Sequence, residues 1–139
     1  MIALASLALA GCGGTQKPAA ASPEEQTVRR VAEGYVEAIA GHQWARACAS
    51  ASAQVQADVQ REAEQNGARA TSCVSAWQAL ERKGIAVAGT ASSVRIGDVS
   101  VRGDVATVEV LVMGSAHTSY AVREHGQWKL AEDRRGGSG

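Results

Sequence analysis

The 139-residue sequence contains no phenylalanine, only two prolines and three cysteines, and its aromatic residues are three tryptophans and two tyrosines. Three cysteines are too few for a disulfide-dense miniprotein. Without several apolar runs of about 20 residues, the chain is not a multi-span membrane protein. Neither charge dominates, since 14 Lys and Arg balance 14 Asp and Glu. Because nucleic-acid-binding proteins usually carry a basic face, we expect no nucleic-acid partner. The length predicts one folded domain with terminal extensions.

Residues 1–11 form an apolar run without a charged side chain. The run is too short to span a bilayer, which needs about 20 residues, but it fits the apolar region of a signal peptide. It ends in Leu9-Ala10-Gly11-Cys12, which resembles the lipobox of bacterial lipoproteins. The resemblance implies that Cys12 carries the lipid and becomes the mature N-terminus. No Lys or Arg precedes the run, unlike a typical signal peptide, and a buried N-terminal helix is the alternative.

The segment after Cys12 has a composition that favours a tether. Residues 13–21 read Gly-Gly-Thr-Gln-Lys-Pro-Ala-Ala-Ala and have little apolar surface to bury. We therefore predict a signal segment over 1–11, a lipidated and flexible tether over 12–22, a domain over 23–135 and a disordered end over 136–139. This organisation predicts a lipid-anchored protein on the extracytoplasmic face of the cell membrane.

The remaining cysteines, Cys48 and Cys73, are predicted to form a disulfide. Export would place them in an oxidising compartment, where a pair of cysteines tends to bridge. Two buried free thiols are the alternative. A metal site or a catalytic thiol is disfavoured, because no second Cys or His stands at ligand spacing and no His is near either cysteine.

The first half of the domain has helical periodicity. Ser22-Pro23-Glu24-Glu25 reads as a capping box at the start of a helix that ends at Gly41. Its apolar positions recur at helical spacing and are Val28, Val31, Ala32, Tyr35 and Ile39. Arg29 is assigned to the opposite, solvent-facing side. A short turn over 44–49, a polar helix over 53–65 and a third helix over 72–83 are predicted to follow.

From about residue 91 the apolar period changes to two, which predicts strands. The alternation slips at Gly97-Asp98, indicating a β-bulge. Short turns separate strands over 94–102, 105–113, 116–124 and 127–132. Such short turns require antiparallel neighbours.

The order of elements predicts an α+β fold in which N-terminal helices pack on a curved, bulged antiparallel sheet of four to five strands. At this level the chain resembles the nuclear transport factor 2-like, or cystatin-like, superfamily, and more narrowly its small actinobacterial-type lipoproteins. The resemblance rests on residues 41–48, on Cys73 with Trp77, and on residues 126–130. It implies a cone-shaped domain in a superfamily that includes isomerases, dehydratases, ligand-binding proteins and non-catalytic adaptors, so the fold does not specify the function.

A pocket in the cone would be lined by aromatic residues together with one carboxylate. The candidates are Tyr35, Trp44, Trp77, Glu109, Tyr120 and Trp128. The alternative, which we favour for the aromatics, is that they form the core itself. Glu109 alternates with Val108 and Val110, so it is either a buried carboxylate or, as we favour, a solvated one. The three histidines have no metal-ligand spacing, and we predict no metal, no cofactor and no catalytic residue.

We therefore expect a membrane-anchored cell-envelope lipoprotein with a non-catalytic domain that binds a partner protein or a small apolar ligand. One alternative is an enzyme of the isomerase or dehydratase type that uses the cone pocket. Another is a structural adaptor of an envelope complex that forms a homodimer through its sheet.

Overall fold

The computed structural model describes residues 20–85 and 93–132, so Cys12, the tether before residue 20 and the end of the chain lie outside the described residues. In these two ranges, four helices precede four strands, which confirms the predicted α+β class. The helices are α1 (Pro23–Ala40), α2 (Trp44–Ser50), α3 (Ala53–Gln65) and α4 (Cys73–Arg82). The strands are β1 (Val94–Arg102), β2 (Val105–Val112), β3 (Ser115–Glu124) and β4 (Gln127–Ala131). Within these ranges, no helix combines the length and the apolar character needed to cross a bilayer.

The helix α1 begins at the predicted capping box. The Ser22 hydroxyl accepts from the Glu25 backbone N–H at 3.1 Å, and the Glu25 carboxylate accepts from the Ser22 N–H at 2.9 Å. These two bonds satisfy backbone donors that the first turn of a helix leaves unpaired. Val28 and Ala32 are fully buried against the sheet, so α1 joins the helical half of the domain to the strands.

The strands form one antiparallel sheet in the order β1-β2-β3-β4. Its helix-facing side contains Ala106 and Val108, which are fully buried, and Val110, which packs beside them. Ala121 and Trp128 complete this core from β3 and β4. The apolar row of β2 is therefore the inner one, as expected, and Glu109 belongs to the outer face.

The predicted bulge is confirmed, since the pairing of β1 with β2 shifts between Ile96 and Val99. A Cβ at Gly97 would lie 2.0 Å from Oε2 of Glu109. That oxygen accepts from the Asp98 backbone N–H at 3.2 Å. The Arg29 guanidinium donates to the carbonyls of Ile96 and Gly97 at 2.9 and 2.6 Å. The solvent-facing assignment of Arg29 is therefore wrong, because its guanidinium satisfies backbone oxygens that the bulge releases from the ladder.

The helical half is linked covalently. Cys48 in α2 and Cys73 at the start of α4 form the predicted disulfide, with their Cα atoms 6.0 Å apart. The connection between α2 and α3 also reaches the sheet, because the Ser52 N–H donates to the Leu130 carbonyl of β4 at 2.7 Å. The same Ser52 caps α3 by accepting from the Val55 N–H at 3.2 Å. The disulfide and this contact fix α2, α3 and α4 relative to β4.

Candidate functional site

A cleft of about 600 Å³ lies beside α3 and α4. Its apolar floor consists of Val59, Trp77, Leu80 and Ile85. Its polar rim consists of Gln54, Asp58, Arg61, Glu62, Gln65 and Glu132. We call this the α3–α4 cleft. A volume of this size is in the range of about 300–1,000 Å³ that small-molecule sites occupy.

The cleft follows from the unusual composition of α3. Only Val55 and Ala63 of this helix are buried, because its apolar stripe is thin. The polar rim positions recur at intervals of three and four residues, so they form one side of the helix. The apolar side of α3 packs on α4 through Val59 and Ala63, while its polar side borders a groove that stays open to solvent.

The charges on the rim are unequally paired. The Asp58 carboxylate accepts from the Gln54 amide at 2.9 Å and forms an ion pair with Arg61. In residues 20–85 and 93–132, no Lys, Arg or His forms an ion pair with Glu62 or Glu132. Because Arg61 is offset by Asp58, these two carboxylates leave the cleft with an excess of negative charge.

Trp77 is held at the cleft by the residues behind it. Its indole stacks on that of Trp44, with 5.3 Å between centroids and 15° between planes. The Trp44 indole N–H donates to Glu81 Oε2 at 3.0 Å, and His42 contacts the other carboxylate oxygen of Glu81. These bonds lower the pKa of Glu81, chiefly through the Trp44 hydrogen bond and then through His42. The indole at the floor of the cleft thus stacks on a tryptophan that is itself held by Glu81 of α4, which His42 of the α1–α2 connection also contacts.

Tyr35 of α1 also lies behind the floor of the cleft, next to Trp77. It packs with Val74 and Trp77 against the buried cluster that contains Trp44. Burial raises the pKa of Tyr35, and the negative charge of Glu132 raises it further. At neutral pH, Tyr35 is therefore a protonated phenol next to the carboxylate at the rim of the cleft.

The six residues predicted to line a pocket lie in three places. Trp77 lines the α3–α4 cleft, while Tyr35 and Trp44 pack behind it. Trp128 belongs to the separate core between α1 and the sheet, where the Arg123 guanidinium lies 4.7 Å from its ring. Glu109 and Tyr120 project from the outer face of the sheet, as the register opposite Thr118 and Thr107 requires. The sheet thus separates Glu109 and Tyr120 from Trp77.

Glu109 lies on the outer face of the sheet, as favoured from the sequence, and it also has a hydrogen-bond partner there. It is half-buried and borders a polar depression of about 190 Å³ on the outer face, together with Asp98, Ser100, Thr107 and Thr118. Its carboxylate accepts from the backbone of the bulge. The side chain therefore has a structural partner that sequence periodicity does not reveal.

In the part of the chain that the structure describes, no three His, Cys, Asp or Glu side chains are arranged to hold a metal ion. Cys48 and Cys73 are bonded to each other.

Sequence reasoning missed the carboxylates of the cleft. Asp58 lies on the helix predicted to be polar over 53–65, yet its side chain is only 22% exposed. Glu132 ends the last predicted strand, and nothing local relates it to a helix about 70 residues earlier. One sequence signal could have indicated the cleft. Polar residues recur along one side of α3, and this side borders the groove next to α4.

Comparison of the chain with protein-family models, with curated protein sequences and with solved structures finds no match in any of the three. The functional argument therefore rests on the residues of the domain and on the chemistry of the cleft.

Proposed function

We propose that this chain is a lipoprotein anchored in the cell membrane through Cys12, whose extracytoplasmic domain binds a ligand in the α3–α4 cleft without catalysing a reaction. The resemblance to the nuclear transport factor 2-like superfamily belongs to this proposal. It is supported by the order of helices and strands and by the bulged antiparallel sheet.

The disulfide is the observation that carries the proposed location. A protein disulfide persists in an oxidising compartment and is rare in a reducing cytosol. Cys48 and Cys73 are bonded, which leaves Cys12 as the third cysteine of the chain. Cys12 follows an apolar run that ends in small residues, and this combination supports lipid attachment after export.

The proposed binding role is supported by the composition of the cleft. Its four apolar side chains, one of them an indole, lie beside six polar ones, so the lining can contact both an apolar and a polar part of a ligand. Its acidic residues, by contrast, are on an open rim, and Asp58 is already paired with Arg61. Acid or base catalysis usually requires a carboxylate whose pKa is tuned by burial or by a close partner. Binding therefore fits this cleft better than isomerase or dehydratase chemistry.

Membrane attachment is tested with a Cys12→Ala variant expressed in a bacterium that acylates lipoproteins. We expect the unaltered chain to sediment with membranes and the variant to be released, because a lipid on Cys12 would be the anchor. A Cys48→Ala/Cys73→Ala variant is the matched control and should stay membrane-bound. Membrane association of the Cys12→Ala variant would refute the lipid anchor.

Ligand binding is tested by native mass spectrometry of the protein purified from an oxidising compartment. A bound mass that is lost on denaturation would support a ligand in the domain. A measured mass equal to that of the protein alone would favour a partner protein as the binding target. A mass twice that of one chain would favour the dimeric adaptor. Enzymatic activity of the purified domain would overturn the non-catalytic role.

A further inference from the structure

We propose that the ligand of the α3–α4 cleft is a small organic cation, with an apolar or aromatic body and an ammonium or guanidinium group. This inference rests on the proposed binding function and specifies the chemistry of the ligand.

The charge of the rim determines the sign of the ligand. Glu62 and Glu132 have no cationic partner within the described residues, and the one cation of the rim, Arg61, is neutralised by Asp58. An anionic ligand would meet like charges at the rim, whereas an ammonium group would be attracted by Glu132 and by Glu62, whose carboxylate also accepts from the Asn66 amide at 3.3 Å. Electrostatic complementarity of this kind discriminates between ligands even where it adds little affinity.

The floor of the cleft determines the rest of the ligand. Val59, Leu80 and Ile85 offer apolar contacts, and Trp77 adds an indole. Indole rings attract cations through their π electrons, and Trp is the strongest of the aromatic side chains in this respect. In an amine with an aromatic or alkyl body, the body would contact the apolar floor and the ammonium group would contact the carboxylates of the rim.

The size of the cleft and its surroundings favour a small molecule over a protein. The cavity of about 600 Å³ matches small-molecule sites. The core of a protein interface is normally an apolar patch. Among the described residues, the large hydrophobic side chains classed as exposed are Val112 and Met113, at the β2–β3 hairpin and not at the cleft. The cleft itself therefore lacks the apolar surroundings of a protein-docking surface.

The test compares three probes of similar shape, 2-phenylethylammonium, 2-phenylethanol and phenylacetate. Their binding is followed by NMR of the indole N–H groups in the full chain carrying Cys12→Ser. Trp77 reports on the cleft, while Trp128, in the core under the sheet, is the internal reference. We expect the ammonium probe to shift the Trp77 signal saturably without moving that of Trp128. The alcohol should bind several-fold more weakly, and phenylacetate more weakly still.

The carboxylates are tested with a Glu62→Gln/Glu132→Gln variant. We expect about a fourfold loss of affinity for 2-phenylethylammonium, because each exposed charge contributes modestly, and no change for 2-phenylethanol. Glu64→Gln is the control for a single charge, since it removes one carboxylate from α3 outside the lining of the cleft, and it should leave the affinity for the ammonium probe nearly unchanged. The affinity for the ammonium probe should also fall with increasing salt.

Equal binding of the alcohol and the ammonium probe would overturn the cationic ligand but leave the proposed binding function intact. A shift of Trp128 without Trp77, or equal effects of Glu64→Gln and the double variant, would also overturn it. If no probe moves Trp77, the inference fails, and the search for a co-purifying mass decides separately whether the domain binds a ligand.

Discussion

The two halves of this domain are stabilised in different ways. The sheet and α1 bury continuous rows of valine and alanine, with Val28, Ala106 and Val108 inaccessible to solvent. The helices α2 to α4 bury four alanines together with Trp44, Val55, Leu80 and the two cysteines of the disulfide, and the indoles of Trp44 and Trp77 stack. The open cleft is also in this half. The comparison shows that the half containing the cleft is the one that is cross-linked by the disulfide.

The largest expected effect comes from removing the disulfide with Cys48→Ser/Cys73→Ser, which tests whether the helical half depends on it more than the sheet half does. The two cysteines are 25 residues apart, and closing such a loop stabilises a protein by roughly 3–4 kcal/mol. We expect the free energy of unfolding, measured by urea denaturation, to fall by roughly this amount. Hydrogen exchange should increase in α2 and α4 before it increases in β2 and β3. Equal loss of protection in both halves would contradict the distinction.

The sheet half is tested with Val108→Ala. Val108 is fully buried between α1 and the sheet. Deleting its two methyl groups should lower the free energy of unfolding by about 2 kcal/mol, measured by urea denaturation. Val112→Ala is the matched control on the same strand, because Val112 is 37% exposed. Its cost should stay below about 0.5 kcal/mol, and equal costs would show that the inner row does not form the core.

The bulge is tested with Gly97→Ala, alone and together with Glu109→Ala. The new Cβ would meet Oε2 of Glu109 at 2.0 Å, so we expect a loss of about 1–2 kcal/mol. The double variant should cost less than the sum of the single variants, because removing the carboxylate makes room for the methyl group. Additive effects in thermal or urea unfolding would contradict the close approach.

The smallest expected effect concerns the Glu81 network and its pH dependence. The hydrogen bond from Trp44 and the contact with His42 lower the pKa of Glu81 below its usual value of 4.5. The unfolded chain therefore binds this proton more readily than the folded one. The stabilisation is complete above 4.5 and is lost as the pH falls through the lower pKa of the folded state.

We expect the melting temperature of the unaltered protein to fall more steeply between about pH 5 and about pH 3 than that of Glu81→Gln. Glu64→Gln, on the exposed side of α3, should keep the steeper dependence. Parallel curves for Glu81→Gln and the unaltered protein would show that this carboxylate does not stabilise the helical half.

Local signals predicted most of the fold. The capping box at Ser22 and Glu25, the slip at Gly97-Asp98 and the pairing of Cys48 with Cys73 are all confirmed. Each of them depends on neighbouring residues or on the small number of cysteines. The lipid on Cys12, which lies outside the described residues, stays a prediction.

The candidate site was much less predictable. Trp77 was identified as a pocket residue, but Glu62 and Glu132 were not, although all three line the cleft. Glu132 reaches the cleft only because the sheet returns to the helices at the end of β4. Arg29 was misplaced for a similar reason, since the carbonyls that it contacts are 67 and 68 residues away in the sequence.

The sequence by itself determined the helices, the strands, the bulge and the inner face of β2, because capping, hydrophobic period and glycine placement act over a few residues. Only the tertiary structure decided that Glu109 and Arg29 satisfy the backbone at the bulge, that Trp77 stacks on Trp44, and that Glu62 and Glu132 border the same cleft. The physical reason is that hydrogen bonds and charges act on whatever lies within a few ångströms. The packing of α3 and α4 near the end of β4 brings residues from distant parts of the chain within that range.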